Sequence, residues 1–250
     1  MSLSDEHKRR FSRQIMLADV GESGQEKLRA ASVLVIGAGG LGSALIAYLG
    51  AAGVGRIGII DHDHVELSNL QRQIIHEYGD LGRMKVISAA DRLSELSPDT
   101  DVDVYPQRLG DHNASIISRY DVVADGCDNF ATRFAVNRAC IHFKKPLVSA
   151  AVKGFEGQIM TATAFGDAPS PCYQCFVPEQ PSEANTCREV GVIGPLCGII
   201  GSMQALEVIK VVIGLPTLAG NLLRFDGLTN RQQLVGLSHD PDCKACAQNH

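Results

Sequence analysis

The chain has 250 residues, of which 45% are hydrophobic and 20% are charged, as in an ordinary globular protein. Its net charge of -5 and its lack of a long Lys/Arg run argue against nucleic acid or an anionic membrane as a partner, because both require a concentrated positive surface. Residues 1–14 are polar and do not contain the apolar core of a secretory signal, so a cytoplasmic protein is expected.

The first part of the chain alternates between predicted strands and predicted helices. A charged helical arm at 5–30 leads into this pattern. The elements that follow are a strand at 32–36, a helix at 41–52, a strand at 56–60, a helix at 83–97, a strand near 102–105, a helix near 112–119, a strand at 121–125, a helix at 130–143 and a strand at 147–151. Such alternation over about 120 residues predicts an α/β protein with a Rossmann-like, doubly wound and mostly parallel sheet.

The pattern changes after residue 152. Strands are predicted at 157–163 and 222–226, separated by a loop-rich stretch at 166–194 and a long helix after Pro195. We expect these strands to extend the parallel sheet as antiparallel additions. The long helix is apolar enough to suggest a membrane span, but polar residues recur in it at helical spacing, which predicts a buried helix with one solvent-facing stripe. These polar residues are Gln204, Glu207 and Lys210.

Three regions follow from these patterns. We predict an N-terminal helical arm at 1–30, a Rossmann-like nucleotide-binding region at 31–151 and a third region at 152–250. The sequence contains no internal repeat and no low-complexity linker. The third region is therefore expected to pack with the preceding part as one domain.

A glycine-rich segment follows the first predicted strand. Its pattern is Gly37-x-Gly39-x-x-Gly42, with Gly40 inside it. In such a loop the first glycine permits a tight turn, the second lets the backbone approach a phosphate, and the third packs the helix against the strand. The N terminus of the helix then offers its N–H groups to the anion. Asp61 follows the second strand roughly 20 residues later, where a carboxylate commonly binds ribose hydroxyls.

Two functions are compatible with this loop. An NAD-binding oxidoreductase requires only the glycines and Asp61. Attack on the α-phosphate of ATP also requires cations and Mg²⁺ held by a carboxylate, because negative charge accumulates on the phosphate oxygens and on the departing pyrophosphate. The sequence offers such groups at 68–73, at Arg83 and Lys85, and at 125–129. These groups favour ATP, and the oxidoreductase is kept as the alternative.

Four segments in chain order carry a family resemblance. They are Arg10-Phe11-Ser12-Arg13-Gln14, the glycine loop, Asp61-x-Asp63-x-Val65-x-x-Ser68-Asn69-Leu70-Gln71-Arg72-Gln73, and Asp128-Asn129-x-x-x-Arg133. On these motifs the chain resembles the bacterial ThiF/MoeB (HesA/MoeB/ThiF) family, relatives of ubiquitin-activating enzymes, over nearly its whole length. The resemblance implies an adenylyltransferase that uses ATP to activate the C-terminal Gly-Gly carboxylate of a ThiS-like or MoaD-like ubiquitin-like sulfur carrier, for thiamine or molybdenum cofactor biosynthesis.

The resemblance also implies roles for individual residues. Asp61 would bind ribose, and Asp128 would hold Mg²⁺. The phosphates would be held by Asn69, Arg72 and Lys85.

Arg13 has an implied role that its surroundings alone would not suggest. The family resemblance makes it an arginine finger that reaches the active site from the other subunit of a homodimer. On the sequence alone, Arg13 would be interpreted as a solvated residue on a charged helix.

The chain has eight cysteines, which in a cytoplasmic protein are expected to be thiols, metal ligands or catalytic groups. Two C-x-x-C pairs lie in loop-like surroundings, Cys172 with Cys175 and Cys243 with Cys246. Four thiolates suit tetrahedral Zn²⁺, so we predict a closed structural site that staples the C-terminal segment to the central loop. Free thiols or a redox pair are the alternative. His62 and His64, in contrast, are predicted to be solvated loop residues.

Cys187 is a candidate nucleophile. It precedes Arg188, and an adjacent cation lowers a thiol pKa and favours the thiolate. An unreactive loop cysteine is the alternative. The resemblance leaves both open, because this position enters a covalent sulfur or acyl linkage in ThiF-like members and is dispensable in MoeB-like members. Cys127, Cys140 and Cys197 are predicted to be packing residues.

The expected partners are the carrier, a second copy of the chain and a separate sulfur donor. The carrier is expected to bind to the zinc-stapled region at 152–250. The donor is expected to be separate because the sequence ends soon after Cys246, without a fused rhodanese-type domain. Two further alternatives stay open: a zinc-stapled carrier-binding scaffold without catalysis, and a relative that adenylates a small carboxylate or a modified tRNA base. The acidic net charge argues against tRNA.

Overall fold

Short runs of β-branched residues form the buried strands of one eight-stranded sheet. The computed structural model describes residues 3–166, 169–181 and 191–247. The strands are β1 (Ser32–Ile36), β2 (Arg56–Ile60), β3 (Asp101–Tyr105), β4 (Val122–Asp125), β5 (Leu147–Lys153), β6 (Glu156–Ala162), β7 (Asn221–Asp226) and β8 (Arg231–Gly236). Their order is β3-β2-β1-β4-β5-β6-β7-β8. The first five strands in this order are parallel and the last three are antiparallel additions, which confirms the predicted mixed sheet.

Helices connect most of these strands. They are α1 (Asp5–Arg10), α2 (Ser12–Ile15), α3 (Gly21–Ala30), α4 (Gly40–Ala51), α5 (Lys85–Leu96), α6 (Phe130–His142), α7 (Tyr173–Phe176) and α8 (Gly194–Ile213), with 3₁₀ helices at Leu67–Asn69, Tyr78–Asp80 and Ala114–Arg119. The predicted arm is therefore three short helices, and it bends at Phe11, whose buried ring packs against Gly53. The helix predicted near 112–119 is a 3₁₀ helix. The boundaries predicted for the three regions stay predictions.

Strand β8 was not predicted. All six of its residues are exposed, so the alternation of apolar and polar residues that marks a half-buried strand is missing. The preceding turn carries the signal that could have revealed it. Asp226 accepts hydrogen bonds from the Leu228 N–H at 2.9 Å and from Thr229 Oγ1 at 2.6 Å, and Asn230 has a left-handed φ of 54°. These are hairpin features.

Helix α8 is buried, but its predicted solvent-facing stripe is wrong. Gln204 is fully buried, and its Nε2 donates to the carbonyl oxygens of Asp125 at 2.9 Å and Val148 at 3.0 Å. Glu207 is also buried and accepts a hydrogen bond from Thr161 Oγ1 at 2.9 Å. These two polar residues therefore hold the helix on the sheet, whereas Lys210 is half-buried and pairs with Glu207. Among the described residues, α8 is the helix with the length and apolarity of a membrane span, and half of that stretch is buried in the protein.

The sheet has a hydrophobic layer on each face. On one face α4, α5 and α8 pack through residues such as Leu45, Leu93 and Ile200. On the other face α6 and the 3₁₀ helix at Ala114–Arg119 contribute Phe134 and Ile117. Because α4 follows β1 and α6 follows β4, the chain leaves these neighbouring strands toward opposite faces. This arrangement opens the sheet at the carboxyl ends of β1 and β4.

Candidate active site

A cleft of about 570 Å³ lies at this opening. Ligands of doubly wound sheets bind where neighbouring parallel strands lead to opposite faces, and β1 and β4 form such a point here. The floor is made of backbone from both sides. The Gly126 N–H donates to the Ile36 carbonyl at 3.0 Å, and the Gly37 N–H donates to the Ile60 carbonyl at 2.9 Å.

The glycine loop forms one wall of the cleft. Gly37 has a left-handed φ of 95°, and a Cβ atom on Gly42 would lie 2.0 Å from the Gly37 carbonyl oxygen. Gly39 is the N-cap of α4, and no side chain among the described residues caps this end of the helix. The first N–H groups of α4 are therefore available to an anion. Gly37, Gly39 and Gly40 line the cleft, whereas Gly42 packs behind them.

Ala38, inside the loop, is held on both sides. Asp61 accepts the Ala38 N–H at 2.8 Å and the Asp63 N–H at 2.9 Å. The Ala38 carbonyl oxygen lies 2.9 Å from Nε2 of His76, whose Nδ1 lies 2.7 Å from Ser88 Oγ. His76 is buried, and burial lowers its pKa. The sequence analysis did not single out His76, which lies 38 residues from Ala38 along the chain.

Two cations line the cleft near this loop. Lys85 is the first residue of α5; it is buried, and its Nζ lies 3.1 Å from Asp63 Oδ2. Arg72 is half-buried, and its Nη1 donates to the Ser68 carbonyl at 3.1 Å. Arg83, which the sequence also offered, pairs with Asp80 and Asp91 and does not line the cleft. Of Arg83 and Lys85, only Lys85 lines the cleft.

Asp61, His62 and Asp63 have ligand atoms within 4.8 Å of one another, a spacing that could hold a metal ion. Each already has an internal partner. Asp61 accepts two backbone N–H groups, Asp63 pairs with Lys85, and His62 Nε2 lies 2.7 Å from Nη2 of Arg108. The cluster thus serves to fix the cations and the loop.

Asn69 and Gln73 flank Arg72 in the segment after Asp61. Asn69 is buried and does not line the cleft; its Oδ1 accepts the Glu66 N–H at 3.2 Å. Gln73 does line the cleft, and its buried Oε1 has no hydrogen-bond partner among the described residues. A buried acceptor without a donor costs free energy. Gln73 is therefore a ligand-contacting candidate that the sequence analysis did not select.

Asp128 is exposed at the cleft, in the loop between β4 and α6. The loop is fixed by buried neighbours. Asp125 Oδ1 accepts the Cys127 N–H at 3.0 Å, and Arg133 Nη2 donates to the Cys127 carbonyl at 2.7 Å. Burial, together with the charge of Asp125, raises the pKa of the Cys127 thiol well above its usual range. Cys127 therefore remains a thiol, as expected of a packing residue.

Two predicted residues are separate from this cluster. Arg13 is exposed on α2 and does not line the cleft within its own chain. Its Nη1 lies 3.8 Å from Met16 Sδ. Cys187 lies outside the residues that the structure describes, so its predicted role stays a prediction.

The four cysteines of the two C-x-x-C pairs come together. Their Sγ atoms all lie within 4.8 Å of one another, and Cys172 and Cys243 are 71 residues apart in the chain but 3.6 Å apart at sulfur. The Cys175–Cys246 and Cys172–Cys175 distances are 3.5 and 3.9 Å. A tetrahedral ion with Zn–S bonds of ~2.3 Å separates its sulfurs by ~3.8 Å, so the cluster is compatible with zinc.

The wall opposite the glycine loop comes from the antiparallel strands. It carries charged and polar side chains that the sequence analysis did not select as site residues. They are Arg224, Asp226, Thr229, Arg231 and Gln233. Recognising the hairpin turn would have indicated that these residues share one edge.

The fold and the cleft define a class: a doubly wound α/β protein with a glycine-rich loop before a helix N terminus at the switch point of its sheet. Within this class, the chain belongs to the ThiF family, whose model matches residues 11–245. This match confirms the resemblance seen in the motifs. It also argues against the oxidoreductase alternative.

Relatives of known name support this assignment. The chain is 45% identical over 245 residues to adenylyltransferase and sulfurtransferase MOCS3 of Culex quinquefasciatus. The aligned region covers 96% of this chain and 55% of that protein. It is 43% identical to the sulfur carrier protein adenylyltransferase of Thermus thermophilus, over 95% of this chain and 90% of that one. The chain spans about half the length of the MOCS3 proteins.

Solved structures share the fold. The complex of E. coli MccB with MccA-N7isoASN matches with a TM-score of 0.81 at 20% identity, over 98% of this chain and 75% of that one. MccB with ATP matches with a TM-score of 0.79 at 20% identity, over 95% of this chain and 74% of that one.

Proposed function

We propose that this chain catalyses ATP-dependent adenylation of the C-terminal Gly-Gly carboxylate of a ThiS-like or MoaD-like sulfur carrier, as a step of thiamine or molybdenum cofactor biosynthesis. The observation that carries the proposal is the composition of the cleft. The N terminus of α4, the cations of Arg72 and Lys85 and the carboxylate of Asp128 all line one cavity in a chain of the ThiF family. The names of the MOCS3 and Thermus thermophilus relatives support the same reaction.

The reaction requires positioning and charge neutralisation more than proton transfer. The carrier carboxylate is ionised at neutral pH, so it can attack the α-phosphate in line without a general base. In this proposal the N terminus of α4 binds phosphate oxygens, and Asp61 binds ribose. Arg72 and Lys85 offset the charge that develops on the α-phosphate and on pyrophosphate. Asn69 acts by holding the segment that bears Arg72, because its carbonyl accepts the Arg72 N–H at 3.0 Å.

Asp128 is the proposed Mg²⁺ ligand. Its carboxylate is exposed to the cleft beside the glycine loop, and hard oxygen ligands suit this ion. A bound Mg²⁺ would supply positive charge to the phosphates. The role of the protein is to hold the Asp128 loop in place.

The four-cysteine cluster is proposed to hold one structural Zn²⁺. Its sulfur distances fit a tetrahedral ion, and four thiolates fill the coordination of zinc, so no position remains for a substrate. In this role the ion would hold α7 and the C-terminal segment together.

Arg13 is proposed to act in the cleft of a second copy within a homodimer. It is exposed and does not line its own cleft, so it is available to another chain. Large apolar side chains surround it at the surface. Met16 is 72% exposed and Leu17 is 57% exposed, which is typical of a surface that another chain covers.

ATP–pyrophosphate exchange tests the proposed function. The purified chain is assayed with a ThiS-like carrier, a MoaD-like carrier, and versions of each that lack the terminal glycines. We expect exchange with at least one full-length carrier and none with its truncated version. Exchange without any carrier would contradict carrier activation. Binding of NAD without ATP would restore the oxidoreductase alternative.

A further inference from the structure

The cysteine cluster is linked to the cleft through helix α6. Asn137, a fully buried residue of α6, has its Nδ2 3.6 Å from Cys172 Sγ, and its Oδ1 accepts the Tyr173 N–H at 2.9 Å. Both amide groups of Asn137 are thus used to hold the start of α7, where the cluster begins. A single side chain of α6 therefore fixes the backbone between the first two cysteines.

Tyr173 carries this link toward the cleft. Tyr173 follows Cys172 directly in the chain. Its ring is buried, lines the cleft, and lies 5.5 Å from the guanidinium carbon of Arg133. A desolvated cation over an aromatic face is among the stronger contacts of this kind. Arg133 lies one helical turn before Asn137 on α6. The two residues thus face the same segment from the same side of the helix.

Arg133 in turn holds the loop that bears Asp128. Its guanidinium is buried and divided among fixed acceptors: the Cys127 carbonyl at 2.7 Å, the Ala150 carbonyl at 3.1 Å and Ser149 Oγ at 2.8 Å. The carbonyl of Cys127 belongs to the peptide bond that precedes Asp128. A shift of the guanidinium therefore moves the proposed magnesium ligand directly.

We propose that the metal-filled cysteine cluster sets the position of Asp128 through Tyr173 and Arg133, so that Arg133 is a positioning residue for magnesium-dependent nucleotide binding. This inference rests on the proposed function. When the cysteines are fixed by an ion, the Tyr173 backbone between Cys172 and Cys175 is fixed with them, and the buried ring favours one orientation of the Arg133 guanidinium. Without the ring, the guanidinium keeps its charge but loses one of the groups that orient it.

The test separates magnesium-dependent affinity from the rest of the site. ATP binding to the full chain is measured by calorimetry with Mg²⁺ and without divalent ions, and zinc content is measured on the same samples. The variant is Tyr173→Leu, with Tyr173→Phe as the variant that keeps the ring. Phe176→Leu is the matched control, because it removes a ring of the same short helix that packs edge-on against Tyr173 at 6.4 Å between centroids while keeping the Tyr173 ring that faces Arg133.

We expect Tyr173→Leu to retain about one zinc per chain and to weaken Mg·ATP binding roughly fivefold to tenfold, the loss of one buried cation–ring contact. Binding of ATP without Mg²⁺ should change by less than about twofold, because the glycine loop and Asp61 are untouched. Tyr173→Phe and Phe176→Leu should both bind Mg·ATP within about twofold of the wild type.

A double-mutant cycle with Arg133→Lys decides whether the two residues act as a unit. Lysine keeps the charge but not the planar guanidinium, so Arg133→Lys should lose the same magnesium-dependent affinity as Tyr173→Leu. The double variant should bind Mg·ATP as well as the single variant with the lower affinity. Unchanged Mg·ATP binding in zinc-containing Tyr173→Leu, or fully additive losses, would overturn the inference. If Tyr173→Leu loses zinc, the result for Arg133→Lys decides. An Arg133→Lys protein that retains zinc and binds Mg·ATP as the wild type does would overturn the inference. A wild type that binds no Mg·ATP contradicts the proposed function instead.

Discussion

The two sides of the cleft are built in different ways. On the parallel side, backbone atoms of the glycine loop and side chains with internal partners face the cavity. Lys85, for example, is buried against Asp63, and Asp61 accepts two backbone N–H groups. On the antiparallel side, Arg224, Arg231 and Gln233 are exposed, and every residue of β8 is accessible to solvent.

This difference matches the two kinds of ligand in the proposed reaction. A nucleotide is small and anionic, and its transition state is stabilised best by groups that need no reorganisation. A carrier protein is large, and its tail requires a surface of adaptable polar side chains that can order upon contact. The parallel side thus has the properties of a rigid nucleotide site, and the antiparallel side has those of a protein-docking edge.

The largest expected effect is that of Arg13→Ala, which tests whether the two sides of the cleft in one chain are sufficient for catalysis. Arg13→Ala should lower adenylate formation by about 10³-fold, the usual contribution of an arginine finger, with the fold intact. Pyrophosphate exchange and circular dichroism measure the two properties. Exchange at the wild-type rate would show that one chain suffices.

Complementation between two inactive variants sharpens this prediction. Arg13→Ala and Asp128→Asn chains are each expected to be inactive alone. In a mixed dimer, the Arg13→Ala chain keeps its own Asp128 and receives Arg13 from its partner, so one site is complete. Mixing the two variants should therefore restore part of the exchange activity. A mixture that stays inactive after subunit exchange would place Arg13 in the site of its own chain.

The same contrast explains how much the sequence could predict. The parallel strands and the glycine loop were predicted because buried β-branched runs and glycines reflect local physical requirements. The cysteine cluster was predictable because two C-x-x-C pairs indicate a four-thiolate metal site even when, like Cys172 and Cys243, they lie 71 residues apart. Strand β8 was missed because it buries no residue, and His76 was missed because its contact with Ala38 depends on the tertiary fold. Arg83 and Lys85 lie two residues apart, and residue type and spacing do not distinguish them; the family resemblance selected Lys85, which is the one that lines the cleft.

Two glycine substitutions in the parallel side of the cleft separate effects on folding stability from effects on ATP binding. In Gly42→Ala, the new methyl group would lie 2.0 Å from the Gly37 carbonyl oxygen. We therefore expect the free energy of unfolding to fall by about 2–4 kcal/mol. In Gly39→Ala, the nearest atom is Gln73 Nε2 at 3.8 Å, so the fold should tolerate the methyl group. That group would nevertheless occupy the path of a phosphate and should weaken ATP binding by at least about tenfold.

Urea unfolding and ATP titration of both variants measure these outcomes. The expected result is a crossed pattern, in which Gly42→Ala mainly loses stability and Gly39→Ala mainly loses affinity. Equal ATP affinity in Gly39→Ala and the wild type would show that the phosphates do not approach this loop.

The smallest expected effect concerns the pH dependence of folding stability, through His76 beside the glycine loop. Burial lowers the pKa of His76, as does the nearby charge of Lys85, while the Ala38 carbonyl and the carboxylates of Asp80 and Asp61 oppose the shift. Because the unfolded chain then binds a proton more readily than the folded chain, stability is complete above the ordinary histidine pKa of ~6.5 and falls as the pH drops below it. His76→Gln keeps a donor for the Ala38 carbonyl but does not titrate. Urea unfolding at pH 5.5 and 7.5 should therefore show a smaller loss of stability at the lower pH in His76→Gln than in the wild type. The same pH dependence in both proteins would mean that His76 is not held neutral against the glycine loop.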